Sequence, residues 1–402
     1  MPMLSDNPMW EEMALRAVAL TNYGGAEPGE CRAAVEATGD GGADQWHAAW
    51  NSIAQRLDDQ GRVSAVDGDR VSAMDSLFRA STYYRISYCP LFGSPVDERL
   101  RISFEAEEKA FASAADLGDG NLRPVEIPFE GGSLPGYLAT PDDSGEPRPT
   151  VLQVNGFDSN VHEMYFSNGP AATARGFNWI GVDGPGQGRN LIRDGLNLRP
   201  DWENVLGPIL DYVEGLDEVD SGKIVLTGWS LGGFLAPRAA AFHSDRLAAL
   251  VADPGLWDLR DQVMPNLPLS DEEKQQFPDI DRSKIDQIEQ QLRGEGADPM
   301  LRWRLIDRGM WVTGTETLFD FFARFCEFEL SPVAGQITCP TLATISEGDP
   351  ISAAAPRLLE AVSGPGHLVR FTEAEGAGGH CEGLARRLYH DRVYDWLRQT
   401  LS

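Results

Sequence analysis

The sequence predicts an α/β protein: a doubly wound, mostly parallel sheet, with an N-terminal helical module and a helical lid insertion. Three observations predict it. From Arg123 onward, short apolar or β-branched runs alternate with helical stretches, the rhythm of βαβ units. Before that point apolar residues recur at helical spacing only. Residues 255–335 then break the alternation with Pro265, Pro268 and Pro278, a charged stretch and an aromatic run, too long for a loop. The boundaries read as 1–122 for the helical module, 123–254 with 336–402 for the sheet-bearing core, and 255–335 for the lid.

The helical module reads as four helices. Asn7 caps the first, with Pro8 at its first position, and Trp10, Met13, Ala14, Ala17 and Val18 form its stripe before Gly24 and Gly25 end it. Trp46, Trp50, Ile53 and Leu57 mark a second. Val71, Met74, Phe78 and Ser81 open a third that Pro90 stops. Val96 to Leu117 is the fourth. These stripes are core rather than a cofactor box.

Within the core, Pro124–Phe129 and Leu134–Ala139 read as a hairpin around Gly131-Gly132. Strands follow at Thr150–Val154, Asn178–Val182, Lys223–Thr227, Leu247–Ala252, Thr341–Ile345 and Leu368–Phe371. Helices are read around 171–175, 202–213 and 234–242, with a closing helix over 382–401. In the lid, Trp303, Trp311, Phe319, Phe321, Phe322, Phe325 and Phe328 either line an apolar pocket or pack the lid onto the body.

Composition bounds the function. The 402 residues, 42% hydrophobic, suffice for a sizeable core, and a net charge of −28 (62 acidic, 34 basic) repels nucleic acid and anionic membranes. The five cysteines (Cys31, Cys89, Cys326, Cys339, Cys381) are scattered and odd in number, with no C-x-x-C pair, which fits neither zinc nor a disulfide framework. No cofactor or metal is expected. The start, MPMLSDNPMWEE, lacks the basic and apolar regions of a signal peptide, and no run of apolar residues is long enough for a span. The expected setting is cytoplasmic and the expected partner a small-molecule substrate, with the N-terminal helices either capping the site or forming a homodimer face.

The chemistry centres on Lys223 to Gly233, KIVLTGWSLGG. A buried strand, G-x-S-x-G, then a helix is the context of a nucleophile elbow. Serine at such a turn is strained, and Gly228 and Gly232 leave room for the bend to close. The turn lifts Ser230 Oγ clear of the sheet and starts a helix at Leu231, whose N–H can face an oxyanion. Trp229, beside the serine, is a candidate substrate contact.

A serine hydroxyl needs a base. Of six histidines, only His380 lies in a glycine-rich loop directly after a strand, Gly376-Ala377-Gly378-Gly379-His380. The order Ser…Asp…His places a carboxylate at the end of the preceding strand, where Ser346-Glu347-Gly348-Asp349-Pro350 offers Asp349, with Glu347 as rival. Asp349 would orient the imidazole and stabilise its cation. The second oxyanion donor is expected from Phe157, after Asn155-Gly156 at a strand end; Asp158 and His162 nearby are candidate substrate contacts, as is Trp311 in the lid. Asp183-Gly184-Pro185-Gly186-Gln187-Gly188 is not G-x-G-x-x-G and carries no dinucleotide reading.

Over about residues 123–402 these motifs resemble the α/β-hydrolase superfamily, carried by Gly228–Gly233, Asp183–Gly188, Asp349 and His380. With the helical block ahead of the hairpin and Asn155-Gly156-Phe157-Asp158-Ser159, the chain is similar to the branch of 2,6-dihydroxypseudooxynicotine hydrolase and the polyketide-shortening hydrolases, and more distantly to fermentation-respiration switch esterases. The resemblance implies cleavage of a carbon–carbon bond beside a ketone in a bulky, partly aromatic substrate, with Ser230, Asp349 and His380 as triad. It also implies an acid downstream of the elbow, for which Asp253, Asp258 and Asp261 are candidates. Where many esterases carry His-Gly, this chain has Asn155-Gly156. Carboxylesterase or thioesterase chemistry, acyl transfer or elimination, and a catalytically dead binding protein remain alternatives on the same scaffold.

Overall fold

A computed structural model of the chain describes residues 2–402. One eight-stranded sheet runs in the order β1-β2-β4-β3-β5-β6-β7-β8. Its strands are β1 (Leu122–Phe129), β2 (Gly132–Ala139), β3 (Arg148–Val154), β4 (Asn178–Val182), β5 (Val219–Trp229), β6 (Ala249–Asp253), β7 (Thr341–Ser346) and β8 (Gly366–Phe371). The β1–β2 hairpin turns at Glu130-Gly131, both with positive φ, and β2 pairs antiparallel with β4. The other pairings, from β4–β3 through to β7–β8, are parallel. Central strands are buried on both faces, which is why they read as unbroken apolar runs.

Five helices precede the sheet: α1 (Pro8–Ala19), α2 (Pro28–Thr38), α3 (Ala43–Val66), α4 (Arg70–Tyr88) and α5 (Glu98–Leu117). The Asn7 cap forms, accepting from the Met9 N–H at 3.0 Å. Helix α2 is absent from the sequence reading; its buried face is Cys31, Ala34, Val35 and Thr38, too small to stand out as a stripe. Trp10, Trp46 and Trp50 stack in series at the centre of the module. Helix α1 packs on the segment after His380, and α4 on the helix Val161–Thr173, so the module lies against the part of the core that carries the site.

Between β6 and β7 the chain makes short helices with a core of their own, including Phe277, Phe319, Phe321 and Phe322. Phe319, Phe321 and Phe322 of the aromatic run therefore pack the lid internally, while Trp303, Trp311 and Phe328 join the core of the body. The lid's docking onto the body runs through a π-helical turn, Trp303–Met310. Trp303 Nε1 donates to the Cys89 carbonyl at 2.9 Å and its ring stacks on Phe92. Two boundaries differ from expectation. The helix before β4 begins at Val161, ten residues early, because Asn160 caps it. The closing helix begins at Arg386 rather than 382, because Cys381 and Glu382 are both left-handed. No helix among the described residues is long and apolar enough to cross a membrane.

Candidate active site

Ser230 follows the last residue of β5 with φ +58°, the left-handed region that a non-glycine residue enters only when its surroundings force it. A Cβ on Gly228 would lie 1.9 Å from the Gly232 carbonyl oxygen, and one on Gly233 equally close to that of Pro254. The bend closes only with glycine there. The Ser230 N–H donates to the Asp253 carbonyl at 2.7 Å, tying the bend to β6.

The other two expected residues come to it from later in the chain. His380 Nε2 lies 2.8 Å from Ser230 Oγ, and His380 Nδ1 lies 2.9 Å from Asp349 Oδ2. Asp349 is buried while the imidazole is about half exposed. With the Nδ1 proton held by the carboxylate, Nε2 is the free acceptor for the serine proton. The rival Glu347 turns away: its carboxylate accepts the Glu373 N–H at 2.7 Å. Its carbonyl instead takes the Gly379 N–H at 2.7 Å, which anchors the histidine loop.

Leu231 opens the helix Gly232–His243, so its N–H is an orphan donor of a helix start. The peptide expected to supply the second donor is held by a residue the sequence reading passed over. Gln187 Nε2 donates to the carbonyls of both Asn155 and Gly156 at 2.9 Å, while its Oε1 accepts the Gly184 N–H. In a trans peptide the carbonyl and the next N–H point opposite ways. Holding the Gly156 oxygen therefore aims the Phe157 N–H away from Gln187. A Cβ on Gly156 would sit 3.0 Å from Ser230 Cβ, so this peptide borders the nucleophile. We expect Gln187→Leu to lower kcat by about ten-fold or more with a smaller change in KM, as misplacing one oxyanion donor should. Steady-state kinetics beside a thermal melt separate this from unfolding.

The remaining candidates scatter. Asp158 lines a narrow cleft together with Arg85, Tyr88, Phe92, Asn160 and Trp311. Arginines beside it overcome the effect of burial and hold its carboxyl well below the usual range. His162 does not reach the cleft: it is buried on Phe111, with Nδ1 3.0 Å from Glu107 Oε1. Burial opposes its charge, but the Glu107 hydrogen bond and charge win and its pKa rises. Asp183, buried behind the Asn155 side chain that donates to it at 2.8 Å, is pushed up to about 7 by burial. Trp229 turns its ring toward the Arg386 guanidinium, 5.2 Å away.

None of the three downstream acids presents a free carboxylate. Asp258 caps the Leu330 and Ser331 N–H groups at 2.6 and 2.8 Å, so it pins the end of the lid rather than meeting a substrate. Asp261 pairs with Arg357 on the surface. Asp253 is buried against Arg386 at 2.7 Å.

The comparisons agree with this architecture. The profile of the Alpha/beta hydrolase family matches residues 154–392. Hydrolase LUC6 of Fusarium sp is 33% identical, with 96% of this chain and 95% of that protein aligned. The 20-hydroxy-prefusarin hydrolase FUS2 of Gibberella moniliformis is 30% identical over the same shares. Among solved structures, 2,6-dihydroxy-pseudo-oxynicotine hydrolase superposes with a TM-score of 0.74 over 95% of each chain at 20% identity, a likeness of fold. With the elbow, the sheet order and these relatives in hand, the chain belongs to the α/β-hydrolase family.

Proposed function

We propose that this hydrolase uses Ser230 as nucleophile to cleave a carbon–carbon bond beside a ketone, in a bulky, partly aromatic, polyketide-like substrate. The observation that carries the serine mechanism is the hydrogen-bonded chain Ser230–His380–Asp349, at 2.8 and 2.9 Å. His380 Nε2 takes the serine proton as Oγ attacks a carbonyl of a 1,3-diketone. The Phe157 and Leu231 N–H groups receive the tetrahedral oxyanion. Collapse breaks the bond to the central carbon, whose electron pair spreads onto the second carbonyl as an enolate. The His380 imidazolium returns the proton to that carbon. Water, deprotonated by His380, then releases the acid from the acyl-enzyme.

Aromatic residues around Asp158, which follows the Phe157 peptide, support the substrate class: Tyr88, Phe92 and Trp311 line the narrow cleft there, two of them from the N-terminal module. The name of one relative, 20-hydroxy-prefusarin hydrolase, agrees with a hydrolytic role on an elaborate small molecule. Ester cleavage uses the same groups with a better leaving group and is the second reading. Product analysis decides between them. Carbon–carbon cleavage is expected to convert an aryl 1,3-diketone to one acid and one methyl ketone, faster than the enzyme hydrolyses p-nitrophenyl acetate. Release of p-nitrophenol without diketone cleavage would overturn the first reading in favour of the second.

A further inference from the structure

Around Asp158, next to the expected oxyanion donor, the fold collects more positive charge than it neutralises. Arg16 of α1 holds Asp158 Oδ2 and Glu163 Oε2, each at 2.9 Å. Arg85 of α4 is buried; its Nη2 donates to the Asp158 carbonyl at 2.6 Å and lies 3.4 Å from Glu163 Oε2. Arg308, from the π-helical turn of the lid, reaches only Asp158 Oδ2, at 3.5 Å, an oxygen Arg16 already holds. Three guanidinium groups share two carboxylates. The acids nearby are committed elsewhere, Glu12 to Arg304 and Glu107 to His162.

Arg308 is the least satisfied of the three. A guanidinium has five N–H donors. Here one makes a long contact, and Nε is buried with no partner. Its carbon lies 5.3 Å over the Phe157 ring and 4.5 Å over that of Trp303. Burial pushes its pKa down against the pull of Asp158. Arg85 Nε is likewise buried and unpaired, and Arg85 lines the cleft. Leaving such donors desolvated is costly unless something accepts from them.

We propose that Arg308 and Arg85 form an anion-binding subsite beside the Phe157 peptide, which takes a delocalised oxyanion on the substrate: a carboxylate or the enolate of an ionised 1,3-dicarbonyl. Both present two oxygens that a planar guanidinium fork can meet together. The chain as a whole is strongly acidic, −28, so its long-range field repels anions. Recognition here must come from short hydrogen bonds to the two guanidinium groups themselves. The proposal rests on the hydrolase reading for its substrate, but binding itself does not need turnover.

The test pairs p-nitrophenyl hydrogen glutarate with the neutral p-nitrophenyl pentanoate. In the unaltered protein kcat/KM should favour the anionic ester by about ten-fold or more, the worth of one charged hydrogen bond. Arg308→Met should remove most of that preference, and Arg308→Lys, which keeps the charge but not the fork, should retain part of it. Calorimetric titration of Ser230→Ala with the same two esters reads the subsite without catalysis. Ionised 2-acetylcyclohexane-1,3-dione separates the sources: competition by it, lost in Arg308→Met, marks an enolate, and competition by glutarate alone marks a carboxylate. Equal handling of the two esters, or a preference unchanged in Arg308→Met, overturns the subsite. Absence of fluorophosphonate labelling at Ser230 would overturn the hydrolase reading instead, leaving the titration to decide the subsite.

Discussion

Ser230→Ala is expected to abolish labelling by a fluorophosphonate and to lower kcat on any accepted substrate by about 10⁴-fold or more, the scale seen when a triad nucleophile is removed. The fold should survive. Alanine meets the same left-handed backbone at φ +58° that serine does, and the Ser230 N–H bond to Asp253 is a main-chain bond. His380→Ala should cost about as much, because without the imbalance of a nearby base the hydroxyl stays protonated. The double variant should be little worse than either single one, since the two act as a unit. Asp349→Asn should keep the positions but supply the wrong partner for Nδ1, with a loss of the order of 10⁴ in kcat. Intact-mass spectrometry after fluorophosphonate treatment, together with thermal melts, checks all four proteins. Labelling that persists in Ser230→Ala would move the nucleophile elsewhere and sink the mechanism.

The groups in that prediction were legible in the sequence because each follows a strand, where the alternation of apolar runs fixes chain position along the sheet. Parallel strands bring their C-terminal ends to one edge, so the residues after β5, β7 and β8 had to meet. Contacts made across the fold left no such trace. Gln187 is a lone glutamine in a glycine-proline loop, and only the fold shows it holding two carbonyls of the β3 end. Arg16, Arg85 and Arg308 lie on three separate elements, and nothing in the sequence pairs them. His162 misled by sequence proximity: the first turn of its helix carries the ring toward Glu107 on α5 instead of the cleft. Asp258 misled in the same way, since capping the Leu330 and Ser331 amides requires a neighbour 72 residues away in the chain.

Arg386→Met is expected to destabilise the fold by about 3–5 kcal/mol, the usual result of stripping one partner from a buried ion pair, and to slow acylation in the protein that remains folded. One guanidinium lies behind the residues that carry Ser230 and His380. Its Nη1 donates to Asp253 Oδ2 at 2.7 Å and to the Cys381 carbonyl, next to His380, at 2.9 Å. It lies 5.2 Å from the Trp229 ring, beside Ser230, and 3.7 Å over Tyr389. Glu382, one turn before it, hydrogen-bonds Ser346 at the end of β7, the strand that leads to Asp349. Two buried carboxylates share this one cation. Burial, with the charge of Asp253 behind it, raises the Glu382 pKa far above the usual carboxylate range. A raised carboxyl pKa contributes stability at low pH that is lost as pH climbs above the unfolded value, because the folded state then holds a proton the unfolded state has released. Glu382→Gln, neutral at every pH and of the same shape, should therefore remove that decline while keeping activity close to that of Glu382. Glu382→Ala should instead leave Ser346 and a cavity uncompensated and lose both. Arg386→Lys tests positioning apart from charge: a point charge cannot serve Asp253 and the Cys381 carbonyl with the same planar geometry, so melting temperature should recover further than the rate of fluorophosphonate labelling. Equal recovery of the two would make Arg386 a purely structural tie.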